Sequence, residues 1–411
     1  MKHLLTLFIG VLLFVSCSKD SENDATILNP YSASRTVIVY ISAENNLSSI
    51  AQNNISDMAK GLKEVGSSAN LIIFADKASS TEKPFIARIN NATQTVDTLY
   101  KYSEDFNSMD PDKMQEVLVR ATAFGAGSQD YALVLWGHGS GWMIENNSTS
   151  NTPKRAYGLD SNNNQASTQG VWINIPDLHR VLSNVGKPWT FIFFDCCNMQ
   201  CVEVGYELRD ITEYIIASPA EITSSGAPYS TIVKDFFIDD VTSMYTSICD
   251  HYYEKKTNYL GMGDEHLPIS TVKTKSLPDL AKATKNILPE ISDYLQTANA
   301  TKGLIYYYTE KKTERYHVMY DMNDMILAAL ADAPEKYEAW KKVLNQTVVY
   351  SRYSNLWHAL NVDFSDFRSA MTPERYGGIS MFFPLDRYNM YMRRNYNEDI
   401  KQMEWYQAIG W

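Results

Sequence analysis

The stretch Trp189-Thr-Phe-Ile-Phe-Phe-Asp195-Cys196-Cys197-Asn198-Met199 decides how this chain is read. An almost unbroken apolar run ends in an acid and two adjacent cysteines, and a helix-like pattern follows. Such continuous hydrophobicity marks a strand buried on both faces, the kind found inside a parallel sheet. A second run of this kind, Tyr131-Ala-Leu-Val-Leu-Trp136, ends in Gly137-His138-Gly139-Ser140-Gly141. In open α/β sheets, function gathers just past the carboxyl ends of such strands. A thiol there has helix amides nearby, which favour the thiolate. If both strands share one sheet, His138 and Cys197 meet above it as a cysteine-nucleophile dyad.

Outward from these two strands the pattern stays α/β. Strands are predicted at Arg35–Ser42, Asn70–Asp76 and Tyr214–Ser218, and the apolar spacing from Leu47 to Val65 is that of a helix with one buried face. Phe85–Ile89 and Gln94–Tyr100, joined through Asn90-Asn91, read as a hairpin at a sheet edge. Asp110-Pro111 has the cap and first-turn residues of a helix start. Further helices are expected at about 176–184 and 199–209. Alternation on this scale means a mainly parallel sheet covered on both faces. Residues 139–170, rich in Gly, Ser, Asn and Gln, read as a long surface excursion of the kind that carries function. Beyond about 275 the pattern turns helical, with candidates at Leu277–Leu295, His317–Ala331 and Pro334–Tyr350, before a strand-like Gly377–Pro384.

Composition narrows the functional classes. With 411 residues the chain has length for a large core, and 48 Asp and Glu against 37 Lys and Arg argue against nucleic acid as a partner. Met1-Lys2-His3 and the uncharged run Leu4–Val15 form an export signal, too short to span a bilayer comfortably. Phe14-Val15-Ser16-Cys17 resembles a bacterial lipobox, so residues 1–17 are read as a lipoprotein signal with Cys17 lipidated. Residues 18–34 then form a polar tether whose acidic start resembles the tag that sends some Bacteroidetes lipoproteins to the outer face of the outer membrane. The expectation is a soluble, monomeric body on a lipid anchor in a Gram-negative bacterium. Of the remaining cysteines, adjacent Cys196 and Cys197 cannot easily bridge one another, and Cys201 and Cys249 read as buried apolar fillers. A zinc site built from Cys196, Cys197 and Cys201 fits tetrahedral ligation poorly.

A cysteine nucleophile needs a base or cation beside it, and His is the usual supplier. His138 precedes Cys197 by roughly sixty residues, close to the order seen in caspase-type peptidases. The glycines flanking His138 let the backbone approach a substrate carbonyl, with Gly139 a candidate oxyanion donor. Two buried cysteines and an unrelated histidine are the plainer alternative.

Gly137-His138-Gly139-Ser140-Gly141-Trp142 together with Phe194-Asp195-Cys196-Cys197-Asn198-Met199 resembles the clostripain family of cysteine peptidases, relatives of caspases, gingipains and legumains. Tyr40–Leu47, Tyr320-Asp321-Met322 and Gly378–Pro384 extend the likeness over roughly residues 35–411. The resemblance implies a caspase-like αβα sandwich over residues 35–275, with a mostly helical region, 276–411, packed on it. It implies an endopeptidase acting on proteins or peptides through a thioester, with Cys197 as nucleophile, His138 as its partner and no third essential residue. Asp195 matches the acid that favours Arg or Lys at P1, although an acid there could also cap a helix or stiffen the turn. The chain departs from the family pattern at Pro228, where a second acid is usual, and Glu221 is the candidate to compensate. Lys154 and Arg155 lie where several members cut themselves; a solvated basic pair is the plainer alternative. No cofactor is required by this reading. Calcium use is known in the family, and Asp160-Ser-Asn162-Asn-Asn164 begins like a calcium loop but lacks its turn Gly and closing Glu. The competing class is a non-catalytic surface lipoprotein that binds peptide or glycan; a transpeptidase on the same dyad is a third.

Overall fold

The computed structural model describes residues 33–411 except 66–68, 145–155, 165–169, 256–265, 310–316, 355–356, 358–370 and 387–394. In chain order the first half runs β1 (Arg35–Ala43), α1 (Ser48–Leu62), β2 (Ala69–Lys77), β3 (Phe85–Ile89), β4 (Val96–Lys101), α2 (Pro111–Ala123) and β5 (Asp130–Trp136). It continues with β6 (Tyr157–Asp160), β7 (Val171–Ile173), α3 (Ile175–Val185), β8 (Trp189–Asp195), α4 (Val202–Glu207), β9 (Thr212–Ala217), α5 (Tyr229–Ile232) and α6 (Val241–Glu254). The last part contributes β10 (Ile269–Lys273), α7 (Leu277–Asn286), α8 (Leu288–Leu295), β11 (Tyr306–Thr309), β12 (His317–Asp321), α9 (Met322–Ala329), α10 (Pro334–Thr347), β13 (Val348–Arg352) and β14 (Ser380–Met381).

Nine strands form one sheet in the order β13-β10-β9-β8-β5-β1-β2-β3-β4. The five central strands, β9 to β2, run parallel, and antiparallel pairs flank them on both sides. The hairpin β3–β4 lies at one edge, as its sequence predicts. Alternate residues of each central strand feed two separate cores, which is why these strands read as continuously apolar. Tyr40, Phe74, Leu135 and Phe194 face one core, closed by α2, α3, α4 and α7. Val39, Ile73, Val134 and Phe193 face the other, closed by α1, α5 and α6. The result is an αβα sandwich with a mainly parallel centre.

Local chemistry sets the element boundaries. Asp110 accepts from the Asp112 and Lys113 amides at the start of α2, with Pro111 in its first turn, a cap worth about 1 kcal/mol. Gly186, at φ 63°, ends α3 in the left-handed conformation that suits glycine.

Two expected helices prove to be a strand followed or preceded by a helix. His317–Asp321 pairs with β11, and Asp321 then caps α9 through the Asn323 and Asp324 amides. Val348–Arg352, a β-branched and aromatic run, leaves α10 to pair with β10 on the main sheet. The region beyond 276 therefore supplies helices, one strand of the main sheet, and a separate three-stranded sheet ordered β11-β12-β14. That small sheet is fastened directly behind the cysteine turn. Ser380 donates its amide to Gln200 O at 3.0 Å, and Phe382 donates to Glu203 Oε1 at 2.7 Å.

Part of the excursion from 139 to 170 is buried rather than peripheral. β6 pairs with β7, and Tyr157 is fully buried beneath the end of β5. Cys17, residues 18–32 of the tether, Lys154 and Arg155 lie outside the described residues.

Candidate active site

Trp136 of β5 and Asp195 of β8 are register partners in adjacent parallel strands. His138 and Cys197 each stand two residues past that pair, so both emerge at the same sheet edge. Glycine makes the approach of the two turns possible. A Cβ on Gly139 would fall 2.7 Å from Cys196 Cβ and 2.9 Å from Cys197 O. Gly139 also bridges Tyr157, through hydrogen bonds from Gly158 N to His138 O and from Ser140 N to Ala156 O. Those two bonds leave the Gly139 N–H out of the bridge.

The two cysteines point to different environments because successive residues alternate sides. Cys196 is buried, and its thiol donates to Leu135 O at 3.0 Å. Burial, then the charge of Asp195, pushes that thiol well above its ordinary pKa, so it stays protonated and inert. Cys197 is half-buried at the rim. Its sulfur accepts from Ile222 N at 3.4 Å and lies 3.8 Å from Ile222 O. Asn198, at φ 60°, turns the chain away after the sulfur. Cys201 and Cys249 are buried, in keeping with their reading as fillers.

His138 is half-buried, with its ring centroid 5.9 Å from that of Trp172. Its Nε2 lies 2.7 Å from Asn46 Oδ1. An amide oxygen only accepts, so Nε2 carries the proton in the neutral ring and Nδ1 holds the lone pair. Asn46 and Trp172 were not singled out from sequence. The signal for Asn46 was available: a polar Glu44-Asn45-Asn46 triplet ends β1, the strand next to β5.

Asp195 is 2% exposed and lies beneath the turn that follows β9. Its Oδ2 accepts from Ala227 N at 2.9 Å and Tyr229 OH at 2.8 Å, while Oδ1 is buried with no hydrogen-bond partner among the described residues. Burial raises its pKa, and the Ala227 amide, the Tyr229 hydroxyl and the Lys255 charge oppose that rise. Lys255 donates to Ser225 Oγ at 3.0 Å and to Gly226 O, so its ammonium is tied to the same turn. Glu221 is half-buried on this turn, one residue before Ile222.

A third cluster lies at the neighbouring strand ends. Carboxylate oxygens of Glu44, Asp76 and Asp105 all lie within 4.8 Å of one another. Asp160, first residue of the suspected calcium loop, has its oxygens engaged by amides: Oδ1 by Asn162 N at 3.0 Å and Oδ2 by Ser108 N at 2.7 Å. The converging acids are thus Glu44, Asp76 and Asp105, with Asp160 alongside.

The profile of the clostripain family matches residues 39–411. The chain belongs to the clostripain family. It is a cysteine peptidase, a hydrolase. Among solved structures, a secreted C11 cysteine protease from Bacteroides thetaiotaomicron, in complex with an irreversible peptide inhibitor, is 27% identical with a TM-score of 0.73, covering 92% of this chain and 99% of that one. An inactive zymogen C11 protease from Parabacteroides distasonis is 26% identical with a TM-score of 0.69, covering 93% and 99%. A further secreted Bacteroides thetaiotaomicron C11 protease, at 22% identity and a TM-score of 0.71, shares the fold. No curated protein matches the chain. No described helix is long and apolar enough to cross a membrane.

Proposed function

We propose that this clostripain-family peptidase cuts proteins or peptides as an endopeptidase, through a dyad of Cys197 and His138. The observation that carries the reading is the register of β5 on β8, which sets both side chains two residues beyond one paired position. The Cys197 thiolate adds to the scissile carbonyl, and the Gly139 N–H, unused by its bridge, meets the oxyanion. Collapse forms a thioester as the His138 imidazolium protonates the leaving amine. Water then attacks the thioester, His138 takes its proton, and the acid product leaves with Cys197 restored. The hydrogen bond from Nε2 to Asn46 holds the lone pair on Nδ1 for both proton transfers.

At P1 the reading is Arg or Lys. Asp195 supports it with a buried oxygen that lacks a hydrogen-bond partner, and Glu221 adds a second acid on the same turn. Self-cleavage beside Lys154 or Arg155 is part of the proposal; the similar Parabacteroides protein is described as an inactive zymogen. So is a lipid anchor at Cys17 that holds a monomeric enzyme at the outer membrane, facing the cell surface.

The test compares wild type with Cys197→Ala on fluorogenic peptides ending in Arg, Lys, Ala, Leu or Asp. Cleavage after Arg or Lys that is lost in the variant supports the whole reading. Cleavage confined to small or apolar residues keeps the dyad and removes the basic pocket. An absence of turnover after proteolytic activation favours a peptide-binding surface lipoprotein instead.

A further inference from the structure

The turn after β8 and the turn after β9 are laced together at the rim of the site. Asn198 N donates to Ala220 O at 2.9 Å and Gln200 N to Ser218 O at 3.1 Å, the pairing of an antiparallel ladder. Two residues beyond Ala220 the partner changes from a carbonyl to a side chain: Ile222 N donates to Cys197 Sγ at 3.4 Å. No other acceptor meets that amide among the described residues. Ile222 is 9% exposed, so water has little access to it. The ladder therefore aims a committed main-chain donor at the sulfur before any substrate arrives.

The charge on the sulfur decides how good that bond is. A thiol sulfur is a weak acceptor, whereas a hydrogen bond to a charged partner is about twice as strong as a neutral one. The same residue also offers an acceptor, Ile222 O, at 3.8 Å from Sγ. The amide is the nearer of the two, so the geometry rewards the thiolate over the thiol. At Cys196 the order is reversed, because its thiol donates to Leu135 O at 3.0 Å. The Gly137 amide also acts on that sulfur, but burial and the charge of Asp195 outweigh it. We infer that the Ile222 main-chain N–H is a further catalytic group, which holds the Cys197 sulfur as a thiolate in the resting enzyme alongside His138.

The inference rests on Cys197 being the nucleophile and deepens that reading. An imidazolium supplies charge, and the amide supplies direction, holding the sulfur in one orientation. When the sulfur adds to a carbonyl its charge passes to the oxyanion, so the amide bond weakens as the thioester forms. It is regained when water releases the acid product and the thiolate returns. The amide keeps its hydrogen throughout, so the proton balance of the cycle is unchanged. Stabilising a thiolate also lowers its intrinsic nucleophilicity, with a Brønsted slope of about 0.4–0.5. The gain therefore belongs to acidic and neutral pH and reverses where the thiol is ionised anyway.

The experiment removes the amide hydrogen and keeps the side chain. Ile222 is replaced in the full chain by the corresponding α-hydroxy acid, which turns its amide into an ester. Iodoacetamide labelling of Cys197, read by peptide mapping, is timed at pH 6 and pH 9. A tenfold smaller thiolate fraction, offset by the rise in nucleophilicity, should leave the ester variant about threefold slower than wild type at pH 6 and no slower at pH 9. Wild-type rates at both pH values, or equal slowing at both, overturn the inference. Hydrogen exchange supplies an independent reading. Cys197→Ala should speed exchange at Ile222 N–H by more than about tenfold and leave the Asn198 and Gln200 amides as they are. Unchanged exchange at Ile222 overturns the inference and leaves the nucleophile reading standing. A wild-type Cys197 that labels at pH 6 no faster than the thiols of the unfolded chain removes the nucleophile reading and this inference with it.

Discussion

Two neighbouring pairs of strand ends meet the same sheet edge with opposite electrostatics. At the ends of β5 and β8, the polar atoms of His138, Cys196 and Cys197 have close partners in Asn46, Leu135 and Ile222. At the ends of β1 and β2, the carboxylates of Glu44 and Asp76 lie deeper than His138 and Cys197, and Glu44 Oε1 and Asp76 Oδ2 have no hydrogen-bond partner among the described residues. At the first pair the atoms of the candidate dyad are met by the protein's own groups, while Asp195 Oδ1 beneath them is left without a hydrogen-bond partner among the described residues. The second gathers carboxylate oxygens of Glu44, Asp76 and Asp105 within 4.8 Å of one another. The difference teaches that the carboxyl edge of a parallel sheet concentrates polar groups without dictating their kind: hydrogen-bonded groups surround the histidine and cysteine, and acids crowd the neighbouring strand ends.

The largest effect should come from removing the nucleophile. Cys197→Ala should lower peptide turnover by at least about a thousandfold with little change in unfolding temperature. Its neighbour is the control. Cys196→Ala should keep most activity and lose only on the order of 1 kcal/mol for the small cavity. If both variants were equally inactive, position at the rim would not be what distinguishes the two sulfurs.

Asn46 belongs to both regions, being two residues from Glu44 and bonded to His138. Asn46→Ala should reduce kcat/KM by about 10- to 100-fold, the scale of a misoriented catalytic group. Its pH profile should shift with the released imidazole, whereas a merely structural role would lower stability and leave the profile in place. Lys255→Met removes the cation tied over Asp195. It should raise kcat/KM for Arg or Lys at P1 by roughly fivefold, the effect of about 1 kcal/mol. An unchanged ratio of basic to apolar substrates would detach Asp195 from P1 choice.

The smallest effect concerns a buried acid that, unlike Glu44, accepts a main-chain amide. Burial raises Glu203 from 4.5 to about 8, the Phe382 amide opposing that rise. A raised carboxyl contributes stability that is full below about pH 4.5 and lost as the pH climbs through about 8. Glu203→Gln keeps the acceptor for Phe382 and removes the titration. Its unfolding temperature, measured against wild type, should rise by a few °C between pH 5 and pH 8. A constant difference across that range would show that Glu203 does not titrate there.

Much of the fold was legible because it is written locally. β5 and β8 are buried on both faces, so their sequences are apolar without alternation. The cap at Asp110 and the hairpin at Asn90-Asn91 use turn chemistry that depends on adjacent residues. The strands His317–Asp321 and Val348–Arg352 were masked because each abuts a helix without a Gly or Pro between them. Pairing with β11 and β10, respectively, overrode the helical pattern there.

By itself the sequence determined the parallel centre, the order of histidine before cysteine, and the resemblance to clostripain, since each depends on short runs of neighbouring residues. The resemblance had already named Cys197 over Cys196 as nucleophile, and the tertiary structure supplied the environments that separate them, Cys196 buried against Leu135 O and Cys197 half-buried beside Ile222. Only the tertiary structure brought Asn46 to a histidine 92 positions away, and it gathered Glu44, Asp76 and Asp105 from three separate segments. The physical reason is common to both. Strand register and the direction of a turn set which distant side chains converge, and a pairwise contact across a sheet leaves no period in the chain that carries it.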